Sequence, residues 1–301
     1  MMLIFIALSG ATSAALRDRQ TSGRLSRFFQ DQTDNVEMNK YLDIRYYQSP
    51  GYDPDLTSYD IYTSPDAVKQ PVIVYIHGGG WSKGDKSSVG YKPGYFTQNG
   101  FVFVSINYRL VPGIEFPENI NDVARALVSI HKTIDQYGGD PGRIFVMGHS
   151  AGSHLAALIA TDNSRLKEYG LDLSIIKGVI PIDFTIYNLE KRLAVKTPGM
   201  SILYKAFGED PKVWRDASPM LHVEKGKNIP PFLLIYAGRN EARKTESNEM
   251  KSVLIENGIH AEVAGFPKKN HATVNRSIGD PDDETTKEII TFLNAILEDL
   301  E

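Results

Sequence analysis

From about Tyr41 onward, short apolar runs rich in β-branched residues alternate with longer segments in which apolar side chains return every three or four positions. The first pattern has the length and period of strands, and the second that of helices laid against a sheet. Strands are predicted at residues 41–47, 58–62, 72–76, 101–107, 144–147, 178–182, 232–237 and 260–266. The runs at 72–76, 101–107, 144–147 and 178–182 are almost uninterrupted, as expected of parallel strands buried on both faces. This order of elements predicts an α/β fold with a mostly parallel eight-stranded sheet flanked by helices.

Between the strands, residues 120–134 place Val123, Ala126, Leu127, Ile130 and Ile134 close to one helical stripe. Residues 151–160 and 250–257 read the same way. A final helix at 284–300 gathers Ile289, Ile290, Phe292, Leu293 and Leu297 on one side and should pack on the domain. The alternation breaks at 184–228, where charges and Pro198, Pro211 and Pro219 mix with Tyr187, Tyr204, Phe207 and Trp214. This segment reads either as a small cap-like insertion over a pocket or as an irregular surface connection with its own apolar cluster.

Composition narrows the picture. At 301 residues and 42% hydrophobic content, the chain can bury a full core, and residues 16–301 are expected to form one domain. The 33 basic and 37 acidic residues leave a formal charge of -4 without a basic block, which argues against a nucleic-acid partner. Cysteine is absent, so disulfides, a thiolate nucleophile and cysteine metal sites are excluded. The oligomeric state is not legible.

Residues 1–15 combine an apolar run, Met1 to Leu8, with the small residues Ser9 to Ala15. That resembles a signal peptide, although no basic residue precedes the run. Read so, it predicts a secreted or periplasmic protein; read as an apolar arm packed on the domain, it predicts a cytoplasmic one. No apolar stretch approaches the ~20 residues needed to span a bilayer, and the mature protein is expected to be soluble.

The strongest chemical signal is Gly148-His149-Ser150-Ala151-Gly152, a G-x-S-x-G pentapeptide between a predicted strand and a predicted helix. A serine at such a strand-to-helix turn projects its hydroxyl above the sheet. The helix N-terminus beyond it favours negative charge. A second loop, His77-Gly78-Gly79-Gly80-Trp81, follows the strand at 72–76. Its glycines expose backbone N–H groups that would hold a tetrahedral oxyanion. Neither phosphate-binding glycine motif occurs there. Trp81 either walls the acyl pocket or packs under the loop, and His149 is placed at the substrate pocket beside the nucleophile.

A serine hydroxyl needs a base, and the base needs a carboxylate to orient it. Of the seven histidines, His271 follows the last predicted strand in a loop, the position from which a base can reach the nucleophile. For the acid, Glu241 follows the strand at 232–237. Glu246 is the alternative one helical turn further, and Asn240 lacks the charge.

With these segments in view, the chain resembles the hormone-sensitive-lipase-like carboxylesterases and the arylformamidase (kynurenine formamidase-like) α/β hydrolases over residues 40–299. The resemblance rests on His77-Gly78-Gly79-Gly80-Trp81, Ser105-Ile106-Asn107-Tyr108-Arg109-Leu110, Phe116-Pro117 with Asp122-Val123, and 148–156. It implies an α/β-hydrolase fold, an oxyanion hole from the N–H groups of Gly79, Gly80 and Ala151, and Ser150, Glu241 and His271 as catalytic residues. Many relatives carry Asp where Glu241 stands. The expected activity is hydrolysis of small, short-chain carboxylic esters through an acyl-enzyme, with no metal or organic cofactor. Hydrolysis of N-formyl aromatic amines by the same machinery is the second reading, and a non-catalytic binding module on this fold the third.

Overall fold

The computed structural model describes residues 37–48, 50–195 and 199–300; the signal-like segment at 1–15 and Pro198 lie outside them. Eight strands form one sheet: β1 (Asn39–Arg45), β2 (Ser58–Thr63), β3 (Gln70–Ile76), β4 (Val102–Ile106), β5 (Gly139–His149), β6 (Ile176–Ile182), β7 (Phe232–Ala237) and β8 (Ala261–Phe266). Their order is β1-β2-β4-β3-β5-β6-β7-β8, with β2 antiparallel to both neighbours and the strands from β4 to β8 parallel. All eight expected strands are present.

Ten α-helices accompany them among the described residues. They are α1 (Lys92–Gln98), α2 (Glu118–Thr133), α3 (Ala151–Thr161), α4 (Ser164–Lys167), α5 (Leu189–Leu193), α6 (Ser201–Phe207), α7 (Pro211–Asp216), α8 (Glu241–Glu256), α9 (Thr273–Arg276) and α10 (Glu284–Leu300). The central strands are buried on both faces, with successive side chains pointing to opposite sides, while β1 at the edge is exposed. Val72, Val74 and Ile76 enter one core cluster while Ile73 and Tyr75 enter the other; Ile144 and Val146 divide from Phe145 and Met147 in the same way. Each such fully buried aliphatic side chain contributes roughly 1.5–3 kcal/mol.

Two of the departures from expectation have a local cause. The first, α1, begins Lys92-Pro93-Gly94, residues that suppress a helical reading although proline is well placed in a first turn. The second, α8, starts at Glu241 rather than near 250, because its first turns are polar and carry no apolar stripe. Its start is set by Asn240, whose Oδ1 accepts from the amides of Ala242 and Arg243. Within 184–228, α5, α6 and α7 send Leu189, Leu193, Leu203, Phe207 and Trp214 into the larger core cluster, so this segment is packed onto the domain.

Strand register decides what meets at the carboxyl edge of the sheet. Ile76 of β3 lies opposite Gly148 of β5, and His149 lies opposite Ile182 of β6. The residues that leave those strands next are therefore neighbours: the loop at 77–81, Ser150 and Asp183. In an open α/β sheet this edge is the ligand-binding side.

Candidate active site

Ser150 joins β5 to α3 with φ 55° and ψ −118°, a conformation that L residues rarely adopt. Two glycines make the turn possible. A Cβ on Gly148 would collide with the Gly152 carbonyl, and one on Gly152 would collide with the Ile76 carbonyl. The turn is held on its other side by the Ser150 amide, which donates to Ile182 O at 2.9 Å.

His271 reaches Ser150 from the loop after β8, with its Nε2 3.0 Å from Ser150 Oγ. Its Nδ1 lies 2.6 Å from Asp183 Oδ2. A proton on Nδ1 leaves Nε2 free to accept from the serine hydroxyl, the tautomer that the Asp183 carboxylate favours. Asp183 is enclosed, its side chain fully buried, at the end of β6. Its Oδ1 accepts from the Ala237 amide at 2.8 Å, and Arg243 Nη1 approaches both oxygens at 2.8 and 2.7 Å. Burial would raise the Asp183 carboxyl. The bonds from His271 and the Ala237 amide and the Arg243 charge outweigh it and hold the group below the ordinary carboxylate value.

The structure brings Ser150 and His271 together but corrects the expected acid. Glu241 is 83% exposed and its carboxylate lies 3.8 Å from Lys244 Nζ, away from the imidazole. The Asn240 cap starts α8 there and leaves the Glu241 side chain in solvent. Glu246 is engaged elsewhere, its Oε2 accepting from Thr185 Oγ1 at 2.8 Å. The carboxylate beside His271 comes from β6, the strand adjacent to β5, rather than from β7. One sequence signal pointed to it: Asp183 is the first residue after the apolar run Val179-Ile180-Pro181-Ile182.

Across from His271, the loop at 77–81 turns through positive φ at Gly79 (127°), Gly80 (60°) and Trp81 (56°). Among the described residues the amides of Gly79, Gly80 and Ala151 donate no hydrogen bond, so they are available to a ligand oxygen near Ser150. The loop is braced by the segment after β4: Tyr108 Oη donates to His77 O at 3.2 Å, its ring stacks on His77, and the Val111 amide donates to Trp81 O at 2.9 Å. Beyond the loop, Asn107 Oδ1 accepts from the Lys86 amide and Ser105 Oγ donates to Lys86 O, both at 2.7 Å. Arg109 in turn holds fully buried Asp122 through Nε at 2.7 Å. The segment 105–110 thus positions the glycine loop. Trp81 is buried edge-on against His154, Phe184 and Phe207, and it lines a cavity of about 190 Å³ beside Ser150.

His149 lines the cleft over Ser150 and packs beside the His271 ring. Its Nε2 donates to His271 O at 2.7 Å. Burial, and after it the neighbouring His271 ring, pushes its imidazole down to about 4, so it is neutral near pH 7. Lys92 also braces the His271 loop. Wholly buried, it donates to Asn275 O at 2.9 Å and lies 5.0 Å from the Tyr75 ring centre, with burial pushing its amine down to about 7. Because the ordinary lysine value is 10.5, the unfolded chain holds more protons between about 7 and 10.5 and stability rises with pH across that window. Below it the full cost of the buried ammonium is present. Lys92→Met should therefore raise the urea midpoint most below pH 7, with the gain shrinking toward pH 10. A pH-independent change would show that lost contacts, not charge burial, set the balance.

The BD-FAE family model matches residues 59–254, which include the glycine loop, Ser150 and Asp183. The chain belongs to the BD-FAE family. It is 34% identical over 185 residues to Esterase LipC of Mycobacterium tuberculosis, covering 56% of this chain and 44% of that protein. To Probable carboxylic ester hydrolase LipM of the same organism it is 30% identical over 220 residues, covering 66% of this chain and 50% of that one. The chain thus spans about half the length of these relatives or less. Among solved structures, Esterase B from Lactobacillus rhamnosis superposes with TM-score 0.72 at 23% identity and 96% coverage of both chains. A truncated carbohydrate esterase from gut microbiota gives 0.69 at 20% identity, covering 87% of this chain and 97% of that one. These likenesses establish the α/β-hydrolase fold.

Proposed function

We propose that the protein is a serine hydrolase that cleaves carboxylic esters with small acyl groups. The observation that carries this reading is the run of hydrogen bonds from Asp183 through His271 to Ser150, facing the donor amides of Gly79, Gly80 and Ala151. Ser150 Oγ attacks the ester carbonyl as His271 Nε2 takes its proton, and the three amides bind the oxyanion that develops. His271 then passes the proton to the departing alcohol, and water, activated in the same way, releases the acid and restores Ser150. Asp183 keeps His271 in the required tautomer and stabilises its protonated form.

The need for that proton assigns the two cavities. The alcohol must leave beside His271, which lines an open cleft of about 820 Å³ together with His149, Lys83, Asp85 and Lys205. The acyl group then occupies the 190 Å³ cavity, walled by Trp81, Phe184, Ile186, Met200 and Leu203, with Gly80 and Ala151 at its mouth. That volume is below the ~300–1,000 Å³ of drug-sized sites and suits a short acyl chain. On 4-nitrophenyl esters, acetate and butyrate should be cleaved with kcat/KM at least about tenfold above decanoate, a barrier difference of roughly 1.4 kcal/mol. Equal use of decanoate would overturn the short-acyl reading, and no turnover of any ester would overturn the esterase reading itself.

A further inference from the structure

The acyl cavity is apolar apart from one charged side chain. Arg192, on α5, lines the 190 Å³ cavity that contains Ser150 and also a second cavity of about 420 Å³ between α5 and α8. Ile186 is shared by the same two cavities. Arg192, an exposed residue, thus lines both cavities, whereas His271 lines the cleft and not the inner cavity. Its surroundings leave it without a carboxylate. Among the described residues no salt bridge to Arg192 is present, although other cations near it are matched: Lys191 Nζ lies 3.2 Å from Glu249 Oε2, and Arg215 Nη2 lies 3.1 Å from Glu190 Oε1. The two acids lining the outer cavity are also engaged, Glu249 with Lys191 and Glu246 with Thr185 Oγ1.

We infer that Arg192 selects acyl groups ending in a carboxylate, so that the preferred substrates are monoesters of short dicarboxylic acids. This deepens the proposed esterase reading and rests on it. A guanidinium at the end of an apolar cavity has two effects of opposite sign. An alkyl chain long enough to reach it must displace its water and gives no hydrogen bond in return. A carboxylate at the same depth gains charge-assisted bonds, bidentate where the planes align, next to low-dielectric walls. The same side chain thus penalises long alkyl acyl groups and rewards a dicarboxylic one. Lys83 and Lys205, also without a salt bridge among the described residues, line the cleft on the other side of Ser150 together with Asp85.

The test pairs two ethyl esters of nearly equal length, monoethyl succinate and ethyl pentanoate, followed by acid release in a pH-stat at pH 7.5. Wild type should favour the succinate in kcat/KM by roughly tenfold to a hundredfold, the span expected of one hydrogen-bonded charge contact. Arg192→Gln should bring the ratio near one and Arg192→Glu should invert it; as each ratio is measured within one variant, it does not depend on how much protein is active. Calorimetric titration of Ser150→Ala with monoethyl succinate gives a second readout without turnover, and Arg192→Gln in that background should abolish the binding. Cleavage of ethyl pentanoate with no succinate preference, or a preference that survives Arg192→Gln, would overturn the assignment and leave the esterase reading intact. Cleavage of neither ethyl ester would also overturn the assignment, since it requires the succinate monoester to be a preferred substrate, while the esterase reading is decided separately on the 4-nitrophenyl esters.

Discussion

Asp183→Asn should lower kcat on 4-nitrophenyl butyrate by about ten-thousandfold, while Glu241→Gln should leave it within about twofold. The first magnitude follows from what the carboxylate does in such a relay. An amide at the same place can donate to His271 Nδ1, favouring the tautomer whose proton sits on Nε2, and it cannot stabilise the imidazolium. The distance of 2.6 Å and the complete burial of Asp183 mean that no solvent charge substitutes for it. Glu241, by contrast, is 83% exposed, a position where substitutions generally change stability by less than ~0.5 kcal/mol. In the wild type the lowered Asp183 value keeps its carboxylate charged near neutral pH. Urea unfolding of both variants separates chemistry from folding, and the kcat loss in Asp183→Asn should persist when rates are referred to folded protein. Strong loss in Glu241→Gln with full activity in Asp183→Asn would reverse the assignment.

The reason Glu241 is the natural choice from sequence, and Asp183 the one in place, lies in which features are local. The turn at Ser150 is written in five consecutive residues whose glycines have steric work to do, and the loop of His271 follows the final strand. Both can be located by reading along the chain. The acid depends on which strand lies beside β5, a long-range fact that apolar runs do not encode. Chain order alone permits a carboxylate after β6 or after β7, and only the pairing of His149 with Ile182 puts Asp183 next to Ser150. The same distinction applies to the fold. Eight strands are legible because each is a short apolar run, and α2, α3 and α10 because each carries a stripe. The helix α1 is hidden by Pro93 and Gly94, and the early turns of α8 are hidden by their polarity. Residues 105–110 illustrate a third case, in which a motif is visible while its purpose is not: the bracing of the glycine loop by Tyr108, and of Lys86 beyond it by Ser105 and Asn107, appears only once side chains are placed.

Ser150 should show loss of activity and a gain of stability in separable variants. Ser150→Ala removes the attacking oxygen and should lower kcat by about a millionfold, leaving only what the oxyanion amides and binding provide. Its stability should stay within about 0.5 kcal/mol of wild type, because alanine keeps the Cβ and hence the strained φ of 55°. Ser150→Gly should be equally inactive yet more stable. A strained backbone of this kind costs roughly 1–3 kcal/mol, whereas the additional entropy that glycine loses on folding is roughly 0.5–1 kcal/mol, so relief of strain should win by about 1 kcal/mol. Urea unfolding of the three proteins at pH 7.5 reads this directly. If the glycine variant is no more stable than the alanine variant, the turn stores no strain and the hydroxyl's position follows from packing alone. If it is more stable, part of the folding free energy is committed to holding Ser150 Oγ above the sheet, within reach of His271, a cost that a purely structural turn at this place would not need to carry.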